Sequence, residues 1–357
     1  MVQGIWRTGG VALFPGHGTA QYQPGTENRA VPTGHLAPNT GLVAAGTFKT
    51  GLPGRGALSG GLDRFIPPTP TFHSLRSRMT AAVSTTPSIE SLEKTARALR
   101  RHALRMIADA KSGHPGGSLS SAEIVTALYF GGILRHDPAN PADPDRDRFI
   151  LSKGHGVPIL YAALAESGYF PLEELKTLRQ VDSRLQGHPV LGTVPGIEAS
   201  TGSLGQGLSI GIGHAVAGRL DGKQFHTFVV LGDGECQEGQ VWEAAMAAPN
   251  FELDTLTAII DANRYQLDGA VEDIMSLAPI VDKFAAFGWN VLEIDGHDMG
   301  EVVAALLQAR AHRGEPTCII AHTVKGKGVT FMENDNEFHG KAPNKDQLEV
   351  ALSQLAS

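Results

Sequence analysis

From Ser88 onward, apolar residues return at three- and four-residue steps: Leu92, Ala96, Leu99, Ala103, Met106 and Ile107. Arg97, Arg100, Arg101 and Arg105 occupy the other faces. This period predicts a long amphipathic helix. It is expected to stop near Ser112 and Gly113, ahead of Pro115. A second helix is expected after Ser120 or Ser121, with Glu123 in its first turn. Residues 137–147 (DPANPADPDRD) read as a Pro/Asp loop, and 149–151 as a short strand. Beyond residue 224 the pattern changes. Apolar runs at 225–231 (FHTFVVL), 256–260 (LTAII), 291–294 (VLEI) and 317–321 (TCIIA) read as buried strands. Helical stretches are expected at about 204–220, 238–248, 276–287 and 300–312, with one last helix near the end. Such alternation predicts an α/β fold, a parallel β-sheet sandwiched by helices.

Composition narrows the possibilities. The 357 residues are 41% hydrophobic and 19% charged, enough apolar material for a substantial core. No run approaches about 18–20 apolar residues, so no membrane span is expected. The net charge of −7 argues against a general nucleic-acid binder. Cys236 and Cys318 stand far apart and in no metal-binding spacing, which fits a reducing, cytoplasmic setting. Residues 1–78 differ from the rest. They hold 14 glycines and 8 prolines, and six arginines and one lysine against one Glu and one Asp, a net charge of +5. The other 279 residues carry −12. The segment reads as a disordered leader, or as translated sequence upstream of a natural start at Met79. A transit peptide is the rival reading. Residues 79–357 are expected to form one domain.

Ligands of open parallel sheets bind outside the carboxyl ends of the strands. The 225–231 run leads into Gly232-Asp233-Gly234, and the 256–260 run into Asp261-Ala262-Asn263. Glycines at a strand end let the backbone approach a phosphate closely. Asp233 and Asn263 would then stand side by side on adjacent strands, both offering oxygen. A carbonyl from the turn at Tyr265 could join them. That donor set suits Mg²⁺, or another divalent cation such as Ca²⁺ or Mn²⁺. A simple Gly/Asp turn is the alternative for the first motif taken alone.

With the Asn 30 positions after Asp233, the chain resembles the thiamine diphosphate enzymes. Those enzymes often carry two adjacent Asn there; Ala262 in place of the first matches the transketolase branch. Further motifs resemble transketolase in the family's order. They are Ser112-Gly113-His114-Pro115-Gly116, Ser152-Lys153-Gly154-His155-Gly156, Gly187-His188-Pro189, the loop from Thr201 to Gly207 (TGSLGQG), and Phe338-His339-Gly340. Ser203 stands where the family has Pro. The resemblance covers about residues 88–355 and implies the thiamine diphosphate-binding (PP-type) fold. It implies that His114 and His339 contact substrate and assist proton transfers to its oxygens. His188 is placed with them, near the thiazolium ring and diphosphate. It further implies cofactor contacts from His155, Gly202, Ser203, Leu204, Gly234, Asn263 and His339. Glu238 is expected in a carboxylate network beside the cofactor, or else as a plain first-turn Glu. The segment from Lys325 to Gly328 could cover the diphosphate or form a mobile basic loop. Cys236 receives no role, and His297 a structural one.

Every motif belongs to the domain that grips the diphosphate and metal. The family's second domain type, which holds the aminopyrimidine and supplies a glutamate, has no counterpart in the sequence. The chain therefore resembles the N-terminal subunit of a split transketolase. The expected activity is transfer of a two-carbon ketol unit from a ketose, expected to be phosphorylated, to an aldose. The expected partner is a separate C-terminal, pyrimidine-binding subunit in an α₂β₂ assembly. Two other readings stay open. One is an enzyme like 1-deoxyxylulose-5-phosphate synthase, which would use pyruvate. The other is a non-catalytic regulatory subunit that binds the cofactor without turnover.

Overall fold

Phe228 and Val230 point to one side of their strand, and Val229 and Leu231 to the other; all four are sealed from solvent. Alternation of this kind, apolar on both faces, places a strand inside a two-sided core. In the computed structural model, which describes residues 87–356, this strand lies within a five-stranded sheet. The strands are β1 (Arg148–Leu151), β2 (Thr227–Gly232), β3 (Leu256–Ala262), β4 (Asn290–Asp295) and β5 (Thr317–His322). Their order is β1-β2-β3-β5-β4, and every pairing is parallel.

Ten α-helices occur among the described residues. On one face, α1 (Ile89–Ala110), α3 (Ala122–Phe130), α4 (Val157–Glu166) and α9 (Met299–Ala311) share a core with Phe149, Phe228, Ile259 and Ile319. On the other, α5 (Gln206–Leu220), α6 (Gly239–Asn250) and α8 (Ile280–Ala286) pack on Ile150, Val229, Ile260 and Ile320. The short α2 (Pro115–Ser120) and α7 (Val271–Met275), and α10 (Lys345–Gln354), complete the set. The expected sandwich is observed. Each fully buried Leu, Ile or Phe of these faces contributes roughly 1.5–3 kcal/mol relative to exposure.

The start of α1 follows from its cap: Ser88 Oγ accepts the Ser91 N–H at 3.2 Å. Its end is a left-handed Lys111 (φ 51°). Three local expectations are corrected. Pro115 does not follow a stop into loop; it opens α2, because a proline at the first helical position sacrifices no hydrogen bond. The helix expected at 276–287 is shorter, α8 alone over Ile280–Ala286, with extended backbone at Ser276 and Pro279; the separate α7 lies ahead of it. Pro279 lacks the N–H that a continuous helix would need there. The strand expected from 225 begins at Thr227. The leader reading of residues 1–78 and the start at Met79 lie outside the described residues. Among the described residues no helix is long and apolar enough to cross a membrane.

Candidate active site

Parallel strands deliver their carboxyl ends to one rim. With β1, β2, β3 and β5 side by side, residues 152–155, 232–234, 261–263 and 323–325 meet there. Gly232 pairs with Asp261 across β2 and β3, which sets Asp233 beside Asn263. Asp233 opens the 3₁₀ turn Gly234–Gln237 and accepts the Gly234 N–H at 2.8 Å. Its other oxygen accepts the Arg264 N–H at 2.6 Å. Asn263 donates its Nδ2 to Asp261 Oδ2 at 3.1 Å, so its Oδ1 faces the Tyr265 N–H at 3.2 Å. Asp233, Asn263, Tyr265, Gly234, Leu204, His155 and His339 line a cavity of about 260 Å³.

Asp233 is buried and no described cation bonds to it. Burial, then the neighbouring Asp261, push its carboxyl up to about 6. It is an anion short of a counter-charge, set among neutral oxygen donors. A divalent cation would supply that charge.

Beneath this layer lies an ion pair. Lys153 is bonded to Asp261, with 1% and 0% of their side chains exposed. Lys153 Nζ also donates to Gly117 O at 2.7 Å. Asp261 accepts the Ser120 hydroxyl at 2.6 Å and that of Thr323. Burial alone would raise Asp261, but Lys153 outweighs it and holds the carboxyl below its ordinary value. Glu235 ties the neighbouring loops. It accepts the Ser152 hydroxyl, the Gly205 N–H at 2.8 Å and the Gly232 N–H at 3.1 Å. Burial pushes its carboxyl up.

The four histidines singled out in the sequence come together. The His114 ring stands 5.2 Å from His155, 6.3 Å from His188 and 5.6 Å from His339. His155 and His339 stack at 5.2 Å. Burial lowers all four, His114 to about 4 and His339 to about 3, with Arg179, Lys153 and Lys325 adding to it. At neutral pH the cluster is uncharged, so each ring offers one N–H donor and one acceptor.

Other sequence expectations fall as follows. Gly202 and Ser203 are exposed on the loop over His188, and Leu204 is half-buried in the cavity wall. Glu238 lines the rim, exposed, at the N-cap of α6, with no side-chain hydrogen bond to the described residues. The carboxylate buried beside it is Glu235, which sequence reasoning missed. Lys325 is buried and anchored, so the mobile-loop reading of its segment is corrected at that residue. His297 is structural: it bonds Glu123 at 3.0 Å and accepts the Val324 N–H at 2.8 Å. Cys236 and Cys318 are buried free thiols. Arg179, also missed, donates to Ser112 Oγ at 2.9 Å and reaches His114 Nδ1 at 3.5 Å. The residues missed at strand ends could have been found by asking which charged groups directly follow each buried strand.

Residues 91–356 match the family model for the transketolase thiamine diphosphate binding domain. The chain belongs to the transketolase family. It is 42% identical over 268 residues to one of the subunits of the apulose-4-phosphate transketolase of Phocaeicola vulgatus, covering 75% of this chain and 95% of that protein. It is 44% identical over 264 residues to the 6-deoxy-6-sulfo-D-fructose transketolase subunit SqwG of a Clostridium species, covering 74% and 96%. The solved transketolase of Campylobacter jejuni superposes with a TM-score of 0.72 at 34% identity, over 75% of this chain. This transketolase-family chain spans only 43% of that one. The family's thiamine diphosphate fits the site on its own chemistry: an uncompensated buried carboxylate, flanking oxygen donors and a neutral histidine cluster.

Proposed function

We propose that this chain is the diphosphate-domain subunit of a split transketolase, working with a separate pyrimidine-domain subunit. The observation that carries the proposal is coverage. Relatives named as subunits are matched over 95% and 96% of their length. The reaction is transfer of a two-carbon ketol unit from a ketose to an aldose. An anionic tail is common to the two sugars in those relatives' names, and we extend it to this chain's donor.

Asp233, Asn263 and the Tyr265 carbonyl would hold Mg²⁺ or another divalent cation against the diphosphate. His155, Gly202, Ser203, Leu204, Gly234, Glu238 and His339 would border the cofactor. When bound, thiamine diphosphate supplies the reactive carbon and the electron sink that ketol transfer needs. His114, His188 and His339 then face the sugar. Being neutral, they can hydrogen-bond its oxygens and carry a proton to or from them. The partner would close the other wall of the cleft in an α₂β₂ assembly, in the cytoplasm.

The test is co-expression with the adjacent reading frame, size-exclusion chromatography and a ketol-transfer assay. The pair should be active and either chain alone inactive. Full transfer by this chain alone would refute the split reading. Turnover of pyruvate instead of a ketose would favour the deoxyxylulose phosphate synthase alternative. Cofactor binding by the pair without any turnover would favour a regulatory role.

A further inference from the structure

Lys325 is 1% exposed, and its ammonium meets no carboxylate among the described residues. Burying a charge without a counter-charge costs stability, so fold alone gives it no reason to be there. Its partners are all neutral acceptors. Nζ lies 2.7 Å from His339 Nδ1, 3.1 Å from Asn336 Oδ1, 3.2 Å from the Gln266 carbonyl and 3.5 Å from the Tyr265 carbonyl. The lysine is clamped on both sides. A Cβ on Gly116 would come within 2.9 Å of its Cγ, and the Gly326 N–H bonds the Gly116 carbonyl at 3.1 Å. Asn336 is itself fixed by donating to the Leu267 carbonyl at 2.7 Å.

We propose that Lys325 is a positioning residue, which holds His339 in the single tautomer that carries its proton on Nε2. An ammonium has three donors and no acceptor. It can only donate, and at 2.7 Å it meets His339 Nδ1 more closely than any of its three oxygen partners, so Nδ1 must present its lone pair. A neutral ring with that lone pair bears hydrogen on Nε2. No described group bonds Nε2, and the ring lines the cavity between His155 and His114. His339 is thereby set as a hydrogen-bond donor toward a ligand oxygen. The consequence for catalysis rests on the function proposed above; the tautomer itself does not.

The experiment separates the two. Long-range ¹H–¹⁵N spectra of the full chain, with ¹⁵N-labelled histidine, report the tautomer, and the His339 signal is assigned by its loss in His339→Gln. The wild type should show one Nε2–H tautomer. Lys325→Met should give a tautomer mixture, whereas Lys325→Gln, which keeps an amide donor, should restore part of the single form. In the two-subunit complex, Lys325→Met should lower kcat by about 10²-fold with the ketose KM little changed, and Lys325→Gln should recover part of it. A wild-type Nδ1–H or imidazolium signal overturns the proposal, even if Lys325→Met does not fold. An unchanged tautomer in Lys325→Met overturns it equally. A complex without ketol transfer but with the expected spectra would sink the functional reading and leave the tautomer standing.

Discussion

The Asp233 carboxylate accepts the backbone N–H of Arg264 at 2.6 Å, so one side chain staples the end of β2 to the turn after β3. The same carboxylate is the proposed ligand of the divalent cation. Asp233→Asn keeps the shape and an acceptor but removes the charge. Mg²⁺-dependent binding of thiamine diphosphate, followed by calorimetry, should disappear while circular dichroism stays unchanged. Retained affinity would place the metal elsewhere.

The histidine cluster should divide by function. His114→Ala and His339→Ala are expected to lower turnover of the two-subunit enzyme by about 10²–10⁴-fold, with cofactor affinity little altered. His155→Ala is expected to weaken cofactor binding, because that ring lines the cavity shared by Asp233 and Asn263. Equal cofactor loss in all three variants would contradict the division.

Glu123 gives the fold an acid-sensitive joint. Arg100 grips it through two bonds of 2.7 and 2.6 Å, and His297 adds a third at 3.0 Å. Burial pushes the carboxyl up, but Arg100 and His297 outweigh it and hold it at about 2, against an ordinary 4.5. Between those values the unfolded chain binds more protons than the folded one. The contribution is therefore complete above pH 4.5 and is lost as pH falls toward 2. Its size is about 3 kcal/mol. Urea midpoints measured from about pH 5 to about pH 3 should fall less steeply in Glu123→Gln. That variant should also start lower, since Arg100 is left buried without its partner. An equal slope in both proteins would remove Glu123 from the account.

Gly207 stands where the first turn of α5 meets the end of β1. A Cβ there would lie 2.4 Å from the Ser152 side chain. Ser152 in turn bonds both the Gly207 N–H, at 3.1 Å, and Glu235. Gly207→Ala should cost roughly 1–3 kcal/mol by overpacking and should loosen the Glu235 network. Thermal melts of the chain check this, and an unchanged melting temperature would mean that the loop yields freely.

The sheet was readable because its strands are short apolar runs bounded by loop residues, and Gly232, Asp233 and Asn263 stand at their ends. The four histidines were readable because each sits beside glycine or proline. The helix α4 was not: Val157, Ile159, Leu160, Ala163 and Leu164 are buried on every side, so no polar face marks its period. The short α2 was hidden by Pro115 and two glycines, which resemble a loop until tertiary packing fixes them. Lys153, Asp261 and Glu235, and the burial of Lys325, escaped for a different reason. Charged residues ordinarily face water, and only the neighbours brought in by other strands show that these four do not.

The strand order has a consequence for synthesis. β5 lies between β3 and β4, so it enters a slot whose two walls were made earlier, and β3 and β4 have no direct pairing without it. It also brings Thr323 to Asp261 and Lys325 to His339. A ribosome-bound chain that has not yet released β5 holds the Gly-Asp-Gly turn and three of the histidines, but not a finished floor beneath them. The lining of the cavity is thereby complete only once nearly all of the domain has emerged.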